Sequence, residues 1–262
     1  MDTENKANKA AVYLLSEIFD YSKRMYSGDC GQEYAKSIGL NAIRWKSFIS
    51  SGYKVAVLDT RLQEEELTPI FELISCNSDF NFVMTVTDPY YENETENPYI
   101  RLLFDLAKFS NVKILSKYQP EEVIKDLAEL YGGNRFQALN YSYDFSQEIP
   151  LEASKKRKII FSGASYKEIY PERFIFLKRT RRNLCRLFID LLKHPGYPDT
   201  GGVLTHQIVG NSYIKFLSRY RFMFVSPSRC GLEFLKYREA AYAGILPIGI
   251  APKTFNAEMK QF

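Results

Sequence analysis

Short apolar runs alternate with longer stretches of helical periodicity through the first half of the chain. The apolar runs predict strands at residues 11–19, 53–59, 80–87, 112–116 and 136–141, and the stretches between them predict helices at 32–51, 64–74 and 120–130. Strands that alternate with helices in this way form βαβ units. The first half is therefore predicted to be one domain with a parallel sheet.

The alternation stops at residues 146–157, a polar and charged segment, and then starts again. Strands are predicted at 158–161, 222–226 and 246–250, and helices at 211–219, at 233–243 and over roughly twenty residues from Pro171. The whole pattern predicts an α/β fold with two Rossmann-like domains, residues 1–150 and 151–262, each with a parallel sheet. Because such domains normally add strand and helix pairs beyond a point like residue 250, we expect a C-terminal domain that is cut short, as in a fragment.

The long helix that begins at Pro171 is predicted to have one apolar face and a basic remainder. The apolar positions that helical spacing brings together are Phe174, Leu177, Leu184, Phe188 and Leu191. Basic residues from Lys178 to Arg186 occupy the other positions. A plain solvated face is the first interpretation of this stripe, a peripheral contact with a membrane or glycolipid acceptor the second, and nucleic acid the last.

Composition narrows the class of protein. The 262 residues are 45% hydrophobic and 15% aromatic, which is enough to form two packed cores. Four cysteines stand far apart without a C-x-x-C pair, and no apolar run reaches the roughly 18 residues that a membrane span requires. We therefore expect a cytoplasmic protein, or one in the host cytoplasm if the source is viral. A net charge of +4 suits an anionic ligand better than general binding of nucleic acid.

Two places after predicted strands favour binding of a phosphate, because open parallel sheets bind ligands beyond the carboxyl ends of their strands. Ser162 and Gly163 follow a buried strand, and a glycine there lets backbone amides approach an anion closely. A glycine chosen only for a tight turn is the equal alternative. Arg173 lies in the first turn of a predicted helix, where the amides and the guanidinium both favour phosphate, although a surface cap fits this position too.

The most informative segment runs from residue 222 to residue 249. A strand is followed by a polar turn with Arg229, then by a helix and a second strand that together read EAAYAGILPIG from Glu239 onward. This segment resembles the donor-binding element of GT-B glycosyltransferases, particularly the exostosin-like and CgeB-like groups, whose helix carries E-A-x-x-A-G before x-x-P-[VI]. Supporting matches are SGA at 162–164, Y-P-x-R at 170–173 and G-x-x-Y-I-x-x-L-S at 210–218. The resemblance covers residues 158–249 and is much vaguer over the first half.

The resemblance implies a metal-independent glycosyltransferase that moves a sugar from a nucleotide diphosphate to a hydroxyl of a glycan or other glycoconjugate acceptor. Glu239 would accept hydrogen bonds from the ribose, while Arg229, with Arg173 and Lys236, would neutralise the diphosphate. The donor is a substrate and no further cofactor is expected. No D-x-D triplet occurs, so no metal site is predicted. The alternative is a non-catalytic nucleotide-binding module or a polybasic scaffold.

An inverting enzyme also needs a general base, which we expect from the N-terminal domain. The carboxylates that follow its predicted strands are Glu17, Asp20, Asp59 and Asp88. Asp88 is our choice, with a helix cap or a solvated loop carboxylate as the competing interpretation for each. Many retaining GT-B enzymes carry a second glutamate eight positions before the one that binds ribose. This chain has Gly231 at that position, so the stereochemical outcome stays open.

The chain has two histidines, His194 and His206. Of these, His206 lies before a predicted helix, a position from which it could reach the cleft. A loop histidine without function is the more ordinary interpretation.

Overall fold

The chain divides into two compact units, and the division falls between Asp144 and Phe145. The structure is a computed structural model that describes residues 11–21, 31–49, 53–86, 97–116, 125–138, 149–168, 170–181, 184–196, 205–227, 231, 233 and 235–252. Each unit has its own sheet of parallel strands with helices packed on it. The predicted α/β fold with two Rossmann-like units is confirmed.

The first unit contains a six-stranded sheet. Its strands are β1 (Ala11–Leu15), β2 (Asn41–Arg44), β3 (Val55–Leu58), β4 (Asn81–Val86), β5 (Val112–Ser116) and β6 (Phe136–Ala138). Its helices are α1 (Gly31–Ser37), α2 (Glu64–Ser75), α3 (Pro98–Leu106) and α4 (Lys125–Tyr131). The strand order is β2-β1-β3-β4-β5-β6, and every neighbouring pair is parallel. The central strands are almost wholly apolar because both faces of a parallel sheet are covered.

The helix predicted at residues 32–51 is confirmed at its start and wrong beyond residue 37. Helix α1 ends at Ser37, and Gly39 follows with a φ of +75°. The amide of Leu40 donates to the carbonyl of Ala35 at 2.8 Å, which is the closure of a glycine-terminated helix. The chain then forms β2 beside β1, followed by a short 3-10 helix at Trp45–Ser47. Helix α3, which begins at Pro98 after the capping side chain of Asn97, was not predicted.

The second unit contains a four-stranded sheet. Its strands are β7 (Lys156–Ser162), β8 (Ile189–Leu192), β9 (Tyr220–Val225) and β10 (Leu246–Gly249), and its helices are α5 (Pro171–Arg181), α6 (Gly210–Leu217) and α7 (Leu235–Tyr242). The order is β10-β9-β7-β8, with all pairs parallel. From β7 the chain goes to β8 on one side and then returns to β9 on the other. The carboxyl ends of β7 and β9 therefore border the topological switch point, where open α/β sheets bind ligands.

Helix α5 is held on this sheet by aromatic side chains. Phe176 of the helix stacks on Phe224 of β9, with ring centroids 3.8 Å apart, and on Phe161 of β7 at 5.9 Å. Leu177 completes the cluster and is buried. This packing fixes the first turn of α5 relative to the carboxyl end of β7.

The helix of about twenty residues predicted from Pro171 is likewise confirmed at its start and wrong in its second half. Helix α5 ends at Arg181, and a 3-10 helix at Leu184–Phe188 leads into β8. Residues 189–192 pair with β7, so a strand replaces the continuation of the helix. Leu184 and Leu191, which were predicted to share the buried helical face, are 78% and 52% exposed.

Candidate anion-binding site in the second unit

The turn after β7 forms the floor of the candidate site. Ser162 ends the strand and is buried, and Gly163 follows with a φ of +95°. The amide of Gly163 donates to the carbonyl of Leu192 at 3.1 Å, which ties the turn to the end of β8. A Cβ at Gly163 would lie 3.4 Å from Nη2 of Arg173 and 3.6 Å from Cε of Lys236. Two cationic side chains therefore approach this backbone, and glycine leaves the space between them open.

Arg173 is the third residue of α5 and is fully buried. Its Nε donates to the carbonyl of Ala164 at 2.7 Å, its Nη2 donates to the carbonyl of Ser162, and its guanidinium lies 4.5 Å above the ring of Phe161. Its Nη1 is buried and has no hydrogen-bond partner within the described part of the chain. Burial lowers the pKa of Arg173, but a guanidinium remains protonated in proteins. A buried donor without an acceptor is unfavourable, and an anion would supply the acceptor.

Lys236 and Glu239 lie one turn apart on α7, so their side chains share a face. Nζ of Lys236 lies 2.9 Å from Oε2 of Glu239 and donates to the hydroxyl of Tyr213, also at 2.9 Å. Burial alone would lower the pKa of Lys236, but the charge of Glu239 and the bond to Tyr213 outweigh it and raise that pKa. The ammonium is therefore charged at neutral pH.

Tyr213 connects the two sides of the site. Its hydroxyl accepts from Lys236 and hydrogen-bonds to Oγ of Ser162, so β7, α6 and α7 are joined through three side chains. Burial raises the pKa of Tyr213. The phenol remains neutral and can donate its proton to Ser162. In the sequence Tyr213 belongs to the G-x-x-Y-I-x-x-L-S motif at 210–218, which predicts no role for it.

His194 belongs to the same site and was not predicted. It follows β8 by two residues, and its Nδ1 accepts the amide of Gly196 at 3.1 Å, so Nε2 carries the ring proton. Burial, together with the charges of Lys236, His206 and Arg173, lowers the pKa of His194 to about 4. The imidazole is neutral at physiological pH. Its position just after a strand next to β7 could not be recognised from the sequence, because residues 189–192 have the spacing of a helix and become a strand only by pairing with β7.

His206, the histidine that lies before a predicted helix, has both ring nitrogens engaged with the backbone. Its Nδ1 accepts the amide of Ile208 at 3.1 Å, and its Nε2 lies 2.7 Å from the carbonyl of Lys193. These bonds join the segment after β8 to the segment before α6. A structural role is thus visible for His206.

The described charges of the site do not balance. Arg173 and Lys236 each contribute one positive charge, Glu239 contributes one negative charge, and His194 is neutral, which leaves an excess of one positive charge in a largely buried place. Helix α5 begins at the same point, and the first amides of a helix favour anions. The arrangement is chemically suited to a phosphate or diphosphate.

The site residues proposed from sequence divide into those that the structure brings together and those that lie outside the described residues. Of the predicted ligands, the structure brings Ser162, Gly163, Arg173, Lys236 and Glu239 together. Asp88 and Arg229 lie outside the described residues. Within the described residues, no three His, Cys, Asp or Glu side chains form a group that could hold a metal ion.

Two candidate bases of the first unit already have backbone partners. Asp59 is fully buried, and its carboxylate accepts the amides of Gly31 and Arg61, each at 2.8 Å. Burial raises the pKa of Asp59 despite these bonds. Glu17 accepts the amide of Lys46 at 2.8 Å. Asp59 therefore has the geometry of a structural carboxylate, which holds the backbone at Gly31 and Arg61 in place.

No protein-family model matches this sequence, and a comparison with curated proteins gives no match either. Function is therefore inferred from the residues of the site.

Proposed function

We propose that this chain is a glycosyltransferase of the GT-B type, which moves a sugar from a nucleoside diphosphate to an acceptor hydroxyl. The observation that carries the proposal is the buried guanidinium of Arg173. Two of its nitrogens are fixed by backbone carbonyls, while Nη1 has no acceptor among the described residues, and Lys236 lies across Gly163 from it. A diphosphate is the ligand whose charge and oxygen atoms suit two convergent cations at a switch point.

The two cations would act mainly on the leaving group. When the bond between the anomeric carbon and the phosphate oxygen breaks, the electron pair stays on the diphosphate, and its negative charge grows. Arg173 and Lys236 lie in a site that is largely shielded from water, so they would stabilise this charge more in the transition state than in the bound donor. Arg229, which sequence places after β9, is proposed as a third phosphate ligand. Charge neutralisation by side chains is why we propose a reaction without a metal ion.

Glu239 would select the nucleoside. Glu239 is buried, and its carboxylate pairs with Lys236 in the structure. A diphosphate would offer Lys236 a second anionic partner, and Glu239 would then accept hydrogen bonds from the two ribose hydroxyls. Hydrogen bonds to a charged carboxylate are worth about 1.5–3 kcal/mol each, which is enough to distinguish a nucleoside diphosphate from pyrophosphate.

The acceptor hydroxyl of a glycan or glycoconjugate would form the new bond to the anomeric carbon and lose its proton to a base. Asp88 remains our proposal for that base in an inverting reaction. Its test is Asp88→Asn, which should abolish transfer while donor binding stays unchanged.

Calorimetric titration with uridine, guanosine, adenosine, cytidine and thymidine diphosphates tests the donor site directly. We expect one of them to bind in the presence of a chelator, and Glu239→Gln to weaken it. Glu233→Gln is the matched control, because Glu233 pairs with Arg238 at 2.9 Å near the same helix. If no nucleoside diphosphate binds, the proposal is wrong. Binding without hydrolysis or transfer of the matching nucleotide sugar would instead favour the non-catalytic nucleotide-binding module.

A further inference from the structure

Large apolar side chains lie exposed between α5 and the end of β8. They are Leu184, Leu187 and Phe188 of the 3-10 helix and Leu191 of β8, which together we name the apolar edge. These four residues are 78%, 60%, 62% and 52% exposed. Removing such side chains from water is favourable, at about 25 cal/mol for each Å² of apolar surface.

The apolar edge lies at one margin of the second sheet. Strand β8 is the last strand in the order β10-β9-β7-β8, so among the described strands it pairs only with β7. The 3-10 helix packs against both α5 and β8, and Ile175 of α5 is a further exposed apolar residue at 45%. The exposed apolar side chains therefore lie on three adjoining elements, α5, the 3-10 helix and β8.

The exposed charges in the sequence stretch that forms the apolar edge have one sign. Every described, exposed charged side chain between residues 175 and 193 is basic: Lys178, Arg179, Arg186 and Lys193. Asp190 is the single acid in this sequence stretch, and Lys158 neutralises it at 2.7 Å. The basic residues do not share one helix as predicted, because Arg186 lies in the 3-10 helix and α5 ends before it.

We propose that the apolar edge and its basic side chains dock on an anionic lipid bilayer. Exposed leucine and phenylalanine beside lysine and arginine are the combination that inserts into a bilayer interface and is held there by acidic headgroups. None of the described helices is long and apolar enough to cross a membrane. The contact that we propose is a peripheral one, made by side chains that enter the bilayer interface. The inference does not depend on the proposed glycosyltransferase activity.

A second copy of the chain is the competing occupant, since β8 is a free edge among the described strands. Pairing of β8 with its own copy would place like charges from both chains at one interface, which is unfavourable. An acidic bilayer complements those charges instead. The charge pattern thus favours lipid over self-association.

Flotation with vesicles tests this proposal. The full chain should float with vesicles of phosphatidylcholine mixed with phosphatidylglycerol, should remain unbound with phosphatidylcholine alone, and should dissociate as salt is raised. The double variant Lys178→Glu/Arg179→Glu should weaken binding by about fivefold or more for each basic residue removed. Leu187→Ser/Phe188→Ser should also lose binding, because its exposed side chains would no longer enter the interface.

Two matched controls should bind vesicles like the unaltered chain. Ile49→Ser removes an equally exposed apolar residue of the first unit, at 69%, and Lys215→Glu reverses an exposed charge on α6. Thermal melts of all variants establish that they fold. Absence of flotation with acidic vesicles at low salt overturns the proposal. So does light scattering that gives a dimer for the unaltered chain and a monomer for Leu187→Ser/Phe188→Ser, since the occupant would then be a second copy.

Discussion

The ammonium of Lys236 lies 2.9 Å from Oε2 of Glu239, and these two side chains are 16% and 9% exposed. The pair does not make the site neutral, because the fully buried Arg173 adds a second positive charge. An incoming anion would therefore compete with Glu239 for Lys236. The consequences for phosphate and for nucleoside recognition differ, and substitutions can separate them.

Glu239→Gln should weaken the nucleoside diphosphate and spare pyrophosphate. The amide keeps the shape of the side chain but loses the charge that would bind the ribose, so the nucleoside diphosphate should bind about tenfold more weakly. Pyrophosphate should bind as before or more tightly, because Lys236 loses its anionic partner. Parallel titrations of both ligands measure the difference. Equal weakening of both would show that Glu239 has no role in nucleoside recognition.

Arg173→Met should reduce the affinity for both ligands by about tenfold to a hundredfold, because one charge-assisted contact is removed. Arg135→Met is the matched control. Arg135 also binds backbone carbonyls through all three of its nitrogens, but none of its nitrogens is a buried donor without a partner.

The control should therefore lower the free energy of unfolding by about 1–3 kcal/mol without changing binding. Arg173→Met should destabilise less than Arg135→Met, because it also removes a buried cation with an unpaired donor. Chemical denaturation beside the titrations measures both effects. If Arg173→Met loses stability but keeps full affinity for both ligands, the role of Arg173 is structural and it does not bind the anion.

Gly163→Ala should impair both stability and anion binding, whereas Gly39→Ala should impair stability alone. Both glycines have positive φ, at +95° and +75°, so alanine costs about 1–2 kcal/mol at either position. A Cβ at Gly163 would stand 3.4 Å from Arg173 and 3.6 Å from Lys236, while a Cβ at Gly39 would meet nothing within 4 Å. Similar melting temperatures with a selective loss of pyrophosphate binding by Gly163→Ala are expected. Unchanged affinity in Gly163→Ala would mean that the anion does not occupy the space over this turn.

His194 should make the stability depend on pH between about 6.5 and about 4. The folded pKa is about 4 and the ordinary value is 6.5, so the unfolded chain binds more protons in this range. Stability is then full above pH 6.5 and falls as the pH decreases toward 4. Because the side chain is only half-buried, solvent screening reduces the effect to about 1 kcal/mol. His194→Gln should remove this part of the pH dependence, and His206→Gln should retain it, as urea denaturation across the range would measure. An identical slope in His194→Gln and the unaltered chain would contradict the assignment.

Local sequence determined the elements whose signals are short-range. Three glutamates in the first turn, followed by helical periodicity, predicted a helix at 64–74, and α2 is found at Glu64–Ser75. The strand predicted at 112–116 is β5 itself. Residues 41–44 and 189–192 were assigned to helices because their spacing suits a helix, but pairing with β1 and with β7 decides their conformation. Strand pairing joins residues that are distant in sequence, so a local sequence pattern cannot predict it.

The same distinction holds for the site. Sequence by itself selected Gly163 from its place after a strand and Arg173 from its place in the first turn of a helix. It selected Glu239 and Lys236 through the resemblance to the GT-B donor-binding element. Only the tertiary structure decided that Arg173 and Lys236 approach each other over that glycine and that Tyr213 bonds to Lys236. It also places His194 where the charges of Lys236 and Arg173 lower its pKa. The reason is the strand order. Because β7 lies between β8 and β9, the turn after β7, the segment after β8 and the first turns of α6 and α7 meet at the carboxyl end of the sheet. Which side chains meet there depends on packing between segments that are distant in the chain. That packing exists only once the whole unit is folded.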